Sequence, residues 1–339
     1  MWPLSRRAHP KQFLAFKSGE PTLLQEAVRR AIEVSGSLEH VLVLVQEEHA
    51  GIAHQQIPYL PPENLIVEPV GRSTAASIGL AAITLEKRSP GALMAVLPSD
   101  HLFINERPWL AALRAALAFA AGHDRLVTLG IVPQIPSSSY GYLHMGQELA
   151  HQEDCRIYEV KSFIEKPDPV LARTLCESGE YLWNTGTFVW QTCIFLAAVE
   201  QQMPALFAGL QRIAASPKSL AAIYPTFRGI SVDYGIMEKA TGVVVVRGDF
   251  ERMDVGSLST LSSLLESDPQ GNAVEGLLVA KDSRDNIIYS DEGLVGLIGV
   301  EDMIVVRRGD VVLVCPKERA REVKDLVAAL ADKGLDRFR

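Results

Sequence analysis

Short apolar runs alternate with helical patterns along the first half of the chain. VLVLVQ (41–46), NLIVEP (64–69) and ALMAVLPSD (92–100) read as buried strands. Between them, TLLQEAVRRAIEVS (22–35) and STAASIGLAAITLEKR (73–88) carry apolar residues at helical spacing. RPWLAALRAALAFAAG (107–122) predicts another helix, stopped by Gly122, and RLVTLGIVP (125–133) the next strand. This β-α-β-α order predicts an α/β fold with a mostly parallel sheet and helices on both faces. In such sheets ligands sit beyond the carboxyl ends of the strands. Glu68 and the run Ser99-Asp100-His101 stand at two such ends.

The middle third is less regular. CRIYEVKSFIEKPD (155–168), YLWNTGTFVWQ (181–191) and VVVVRGDF (243–250) read as strands, and ERMDVGSLSTLSSLL (251–265) as a turn into a helix. After ESDPQGN (266–272) the character changes. Residues 273–316 alternate β-rich pieces with turn signals such as SRDN and RRGD, and KERAREVKDLVAAL (317–330) predicts a closing helix. The pattern therefore divides the chain into a domain over 1–266 and a smaller one over 267–339.

Composition narrows the function. At 339 residues with 47% hydrophobic content the chain can bury two cores, and a net charge of −8 argues against a nucleic-acid partner. The first thirty residues run the other way: Arg6, Arg7, Lys11, Lys17, Arg29 and Arg30 face only Glu20 and Glu26. A local positive stretch in an acidic protein suits a small anion. The four cysteines are far apart, with no zinc spacing, which suits a reduced, cytoplasmic setting. No apolar run approaches the ~20 residues of a membrane span.

Several positions carry candidate chemistry, each with a plainer structural reading. Asp100 and Asp254 both follow buried strands. Together they suit Mg²⁺, which takes one or two carboxylates plus substrate phosphates; separately each reads as a turn or helix cap. In FIEKPD, Glu165 suits sugar hydroxyls and Lys166 a phosphate, or both belong to a solvated strand edge. Asn184 in WNTGTF offers an amide that donates and accepts, or simply a turn. Gly141 in SSSYGYLHMG lets a ligand lie against backbone, or marks a loop tip. Glu68, Arg72, Ser73 and Thr74 sit at a strand-to-helix junction that favours polar or anionic groups, or caps the helix. GLVGLIGV (293–300) has glycines but opens no helix, so no dinucleotide site is expected there.

Taken in order, WPLSR…PKQF, VEPVGRSTA, PSDH, YGY, FIEKPD, WNTGTFVW, VDYGIMEKA and DVGS closely resemble the pattern of mannose-1-phosphate guanylyltransferases, and the likeness extends through the tail. The resemblance implies a Rossmann-like nucleotidyltransferase domain followed by a small left-handed β-helix. It implies Mg²⁺ on Asp100 and Asp254, and GTP phosphates on Lys11 and Arg6. Sugar phosphate would lie on Lys166, mannose on Glu165, Asn184 and Gly141 with Asp233 behind them, and guanine near Glu68, Arg72 and Thr74. The implied reaction is direct in-line attack of mannose 1-phosphate on GTP, and a homodimer is the implied assembly. In the family WPLSR follows a strand and a loop of the form LAGGxGTR whose amides cradle phosphates. Met1 stands just past that loop, so the chain as written is expected to turn over little by itself. A non-catalytic sugar-nucleotide binder, or a pyrophosphorylase for another sugar or base, stays open as the alternative.

Overall fold

The computed structural model describes residues 1–103, 105–152, 154–254 and 257–339, with the side chain of Asp254 outside the described set. Helix α1 (Leu23–Ser35) starts at a reciprocal cap between Thr22 and Gln25 and stops at Gly36, whose φ of 74° suits a residue without Cβ. Strands β1 (Val43–Gln46) and β2 (Leu65–Glu68) pair in parallel around helix α2 (Ala50–Gln56). Helix α3 (Ser73–Arg88) leads to β3 (Leu93–Val96), the short β4 (His101–Phe103), α4 (Glu106–Gly122) and β5 (Val127–Ile131). There follow β6 (Tyr142–Gln152), β7 (Cys155–Ile164), α5 (Pro169–Ser178), β8 (Tyr181–Gln191), α6 (Thr192–Gln202), α7 (Pro204–Ala215), α8 (Leu220–Ile223), β9 (Val244–Gly248) and β10 (Arg252–Asp254).

The main sheet has six strands in the order β3-β8-β5-β9-β7-β6, and β6 also pairs with β8. Its two faces are separated by the period of two. Val243 and Val245 join a core with Ala76, Trp190, Phe195 and Leu210 under α3, α6 and α7. Val244 and Val246 join Trp109, Leu113, Phe119 and Leu175 under α4 and α5. The result is the expected helix–sheet–helix sandwich. Parallel ladders join β1–β2 and β5–β9, whereas β3–β8, β5–β8, β7–β9, β6–β7 and β6–β8 run antiparallel. For β6 and β7 the reason is local: they follow each other too closely for a crossover helix, so they form a hairpin. Among the described residues β1 pairs with β2 alone and β3 with β8 alone.

Beyond β10 the expected helix over 251–265 is instead a 3₁₀ segment, Leu258–Ser263, in a stretch rich in serine, which competes for backbone bonds. Strands β11 (Glu266–Ser267), β12 (Ala273–Lys281), β13 (Ile287–Ile298), β14 (Met303–Arg308) and β15 (Val311–Pro316) form a second sheet, in which β12, β13 and β14 stack in parallel as coils. Two fully buried asparagines staple successive turns. Asn286 Nδ2 donates to Asn272 Oδ1, and Asn272 Nδ2 donates to Asp268 Oδ2, each at 2.9 Å. Helix α9 (Val323–Asp332) closes the chain.

The first residues clasp this second unit. Leu4, Leu14, Phe16 and Leu23 share a core with Leu258, Ile287, Tyr289, Ile304 and Leu313. Trp2 Nε1 donates to the Phe338 carbonyl at 2.6 Å, and the Arg7 amide to that of Arg339 at 3.0 Å. The positive stretch is also neutralised by acids remote in sequence. Arg6 pairs with Asp310, Arg7 with Glu48, Lys11 with Asp100, Lys17 with Glu266, and Arg29 and Arg30 with Glu106. The positive stretch expected to meet an anion is thus held in ion pairs.

Candidate active site

Two clusters lie at strand ends. The first surrounds Asp100, between β3 and β4. Lys11 Nζ approaches Asp100 Oδ2 at 2.7 Å, and His101 Nε2 is 4.0 Å from the other oxygen. Burial pushes the Asp100 pKa up, but the Lys11 ammonium outweighs it, so the carboxyl stays below its ordinary value. Asp100 is therefore an ionised group at a strand end. His101 is held from outside the cleft as well, since the buried Arg30 donates to its carbonyl at 3.0 Å. Across the β4–β10 ladder His101 pairs with Asp254 through backbone, which brings the second expected metal ligand to the same ribbon; the Asp254 side chain lies outside the described residues. Arg6, expected at the nucleotide phosphates, is bonded to the second unit, its Nη2 donating to the Arg308 carbonyl at 2.6 Å.

The second cluster is a pocket of about 160 Å³ whose lining includes Tyr140, Gly141, Glu165, Lys166, Asn184, Asp233 and Arg252. All five residues expected at the sugar phosphate therefore converge. Asn184 is fixed by its surroundings. Its Oδ1 receives the Thr128 hydroxyl at 2.9 Å and the Gly186 amide at 3.2 Å, and its Nδ2 donates to Asp233 Oδ1 at 2.9 Å. That leaves one amide proton for a ligand. Lys166 adopts a φ of 50°, a left-handed conformation that costs a non-glycine residue ~1 kcal/mol or more. Its ammonium lies 3.2 Å from Glu165 Oε1. A Cβ on Gly141 would stand 2.3 Å from Glu165 Oε2, so the glycine also leaves room for that carboxylate.

Glu165 and Asp233 are a strained pair of acids. Burial and then the Asp233 charge push the Glu165 carboxyl up, and burial pushes Asp233 up. Both groups hold protons more tightly folded than unfolded. Their cost is absent below the unfolded pKa range near 4 and grows as pH rises through the folded values. Lys166 is half exposed, so the ion pair returns little. Glu165→Gln is therefore expected to raise Tm at pH 7 by about 1–2 °C, a gain on the order of 1 kcal/mol, with the difference from wild type closing toward pH 4. Thermal melts across pH check this; a lower Tm at pH 7 would refute the pair as a cost.

The junction of β2 and α3 is engaged within the protein. Glu68 accepts hydrogen bonds from Ser77 and from the buried Tyr224 hydroxyl, whose pKa burial and that carboxylate push far up. Arg72 donates through Nε to the Pro225 carbonyl at 2.9 Å, and Thr74 Oγ1 accepts from the Val232 amide at 2.9 Å. None of the three lines the pocket. The sequence reading missed Arg252, Tyr140 and Thr128. For Arg252 a signal was present: a basic residue two positions before Asp254 on a short strand.

Comparison with known proteins agrees with this geometry. Residues 1–269 match the nucleotidyl transferase model, and residues 276–330 the mannoseP isomerase/GMP-like beta-helix domain. The mannose-1-phosphate guanylyltransferase of Escherichia coli strain K12 is 35% identical over 351 residues, covering 98% of this chain and 71% of the relative. That of Klebsiella pneumoniae is 37% identical over 341 residues, covering 97% and 71%. A solved structure, a mannose-1-phosphate geranyltransferase from Thermus thermophilus, superposes with a TM-score of 0.86 at 33% identity, over 98% of this chain and 95% of that one. The chain belongs to the mannose-1-phosphate guanylyltransferase family of nucleotidyl transferases.

Proposed function

We propose that the protein transfers a guanylyl group from GTP to mannose 1-phosphate, giving GDP-mannose and pyrophosphate. The observation that carries this reading is the convergence of Gly141, Glu165, Lys166, Asn184 and Asp233 on one pocket next to the strand that follows Asp100. Glu165 and Asp233 accept from sugar hydroxyls, and the remaining Asn184 N–H donates to one. Lys166 meets the sugar's phosphate as a point charge. A phosphate oxygen of mannose 1-phosphate attacks the α-phosphorus of GTP; the bond from that phosphorus to the bridging oxygen breaks, and pyrophosphate leaves with the electron pair. No covalent intermediate on the protein is needed, so orientation and charge neutralisation supply the rate. The guanine end would lie toward the β2–α3 junction, where Glu68, Arg72 and Thr74 make bonds within the protein.

The residues fit Mg²⁺. Asp100 is ionised at a strand end, and the neighbouring His101 pairs through backbone with Asp254, which brings the second carboxylate's backbone to the same ribbon. A metal held by one or two carboxylates and substrate phosphates matches Mg²⁺. Asp100 and Asp254 would hold it, and it would supply positive charge to the phosphates. Lys11 now occupies Asp100 and would turn to the phosphates when the ion binds. The four cysteines are free thiols, in keeping with a cytoplasmic protein, and no helix among the described residues is long and apolar enough to cross a membrane. Leu277, Val279, Leu294 and Ile298 stand exposed on the second unit, which suits a homodimer. A monomeric mass by light scattering at high concentration would remove that assignment. The pocket reading is tested by equilibrium binding: mannose 1-phosphate should bind and GDP-mannose should displace it, and failure of either overturns the reading.

A further inference from the structure

Arg252 lines the same pocket as Lys166, yet the two cations are held very differently. Lys166 lies two residues past the end of β7, with its side chain half exposed and bound to Glu165. Arg252 is embedded. Its Nη1 donates to the Thr185 carbonyl at 3.2 Å and lies 2.9 Å from His101 Nε2, and its Nη2 donates to the Asn184 carbonyl at 3.2 Å. Its guanidinium rests 4.7 Å over the Tyr140 ring, which packs at 4.7 Å on Trp183. A guanidinium can only donate, so in this contact the buried His101 ring is the acceptor, through Nε2. Arg252 thus joins three pieces of the cleft: the Asp100–His101 strand end, the Asn184–Thr185 backbone and the Tyr140 loop.

A charge fixed in this way is oriented before any ligand arrives, and the chemistry it matches is a phosphate monoester. Guanidinium is planar, weakly hydrated and always charged, and loses little freedom when it bonds a phosphate. Lys166 must leave Glu165 to do the same.

The geometry points to Arg252 as a second phosphate-binding residue of this pocket, meeting the phosphate of the sugar 1-phosphate together with Lys166 and holding it in line with the Asp100 end of the cleft. This assignment rests on the sugar-phosphate reading of the pocket given above. The bland role for Arg252 is to brace the Asn184–Thr185 backbone. The two roles separate by ligand charge: a phosphate contact matters only to the phosphorylated sugar, whereas a brace serves any sugar.

Binding of mannose 1-phosphate by calorimetry, and of mannose by ligand-observed NMR, is compared for wild type, Arg252→Met and Arg252→Lys. Arg252→Met is expected to weaken mannose 1-phosphate by about 10- to 100-fold, the range of a hydrogen bond to a charged group, and to leave mannose unchanged. Arg252→Lys keeps the charge without the fork and should recover most of the loss. If both ligands weaken in parallel, Arg252 is a brace and the assignment is wrong; unaltered mannose 1-phosphate binding overturns it too. Should Arg252→Met lose its near-ultraviolet circular dichroism, Arg252→Lys alone decides. Retained mannose binding with mannose 1-phosphate measurably weakened, by up to ~10-fold, supports the contact, and parallel loss or unaltered mannose 1-phosphate binding refutes it. Wild type that binds neither ligand would instead sink the pocket reading on which the assignment stands.

Discussion

Asp100→Asn should lower kcat by about 10²- to 10³-fold while changing the affinity for mannose 1-phosphate little, because removing a metal-ligating charge costs several kcal/mol of stabilisation felt mainly in the transition state. The geometry sharpens the expectation. Asp100 is kept ionised by Lys11 at 2.7 Å, against the pull of burial. Asparagine matches its size but cannot hold the ammonium or a divalent cation by charge. The replacement should also flatten the dependence of rate on Mg²⁺ concentration. Lys11 and Asp100 are each roughly one-third exposed, so the broken pair itself should disturb stability little. A variant with near-normal turnover and a normal Mg²⁺ response would remove Asp100 from the metal site.

The second large effect belongs to Lys166. Lys166→Ala should raise KM for every sugar 1-phosphate alike, by about 10- to 100-fold, since a charged hydrogen bond to phosphate is lost whatever the sugar. Glu165→Ala should instead penalise mannose 1-phosphate more than a deoxy analogue lacking one hydroxyl, because a site built for hydroxyls discriminates through them. The 3.2 Å contact between the two side chains means their effects need not add, so the double variant belongs in the experiment. KM and kcat measured over a panel of sugar 1-phosphates decide it. Identical profiles for the two single variants would contradict the division of labour.

How far the sequence reached is clearest from particular elements. STAASIGLAAITLEKR is α3 from end to end, and YLWNTGTFVWQ is β8, because each has strong periodicity and clear stop signals. The faces of Val243–Val246 also follow from the period of two. What periodicity does not carry is partnership. Strands read one by one do not reveal that β6, β7 and β8 pair antiparallel, since pairing depends on connections and on strands distant in sequence. The serine-rich run after β10 looked helical by apolar spacing alone and became a 3₁₀ turn.

The same limit governs the site. Glu165, Lys166, Asn184 and Asp233 were found through their motifs, and the fold gathers them. Long-range partners decided the rest. Arg6 sits among basic residues in the sequence, but in space it lies against Asp310 and the Arg308 carbonyl. Nothing local showed that the Glu165 carboxylate, more than twenty positions on, would stand where a Cβ of Gly141 would be. Glu68 and Thr74 stand at a helix start that suits anions, yet their oxygens accept from Tyr224, Ser77 and the Val232 amide.

The central claim is guanylyl transfer at a site that depends on Asp100 and on the sugar pocket. It is tested most directly with the protein purified from its own host, supplied with GTP, Mg²⁺ and mannose 1-phosphate, with GDP-mannose and pyrophosphate quantified together. The account predicts both products in equal amounts, at a rate that collapses in the Asp100→Asn protein prepared in parallel. Pyrophosphate without GDP-mannose, or product formation unaffected by Asp100→Asn, would contradict it.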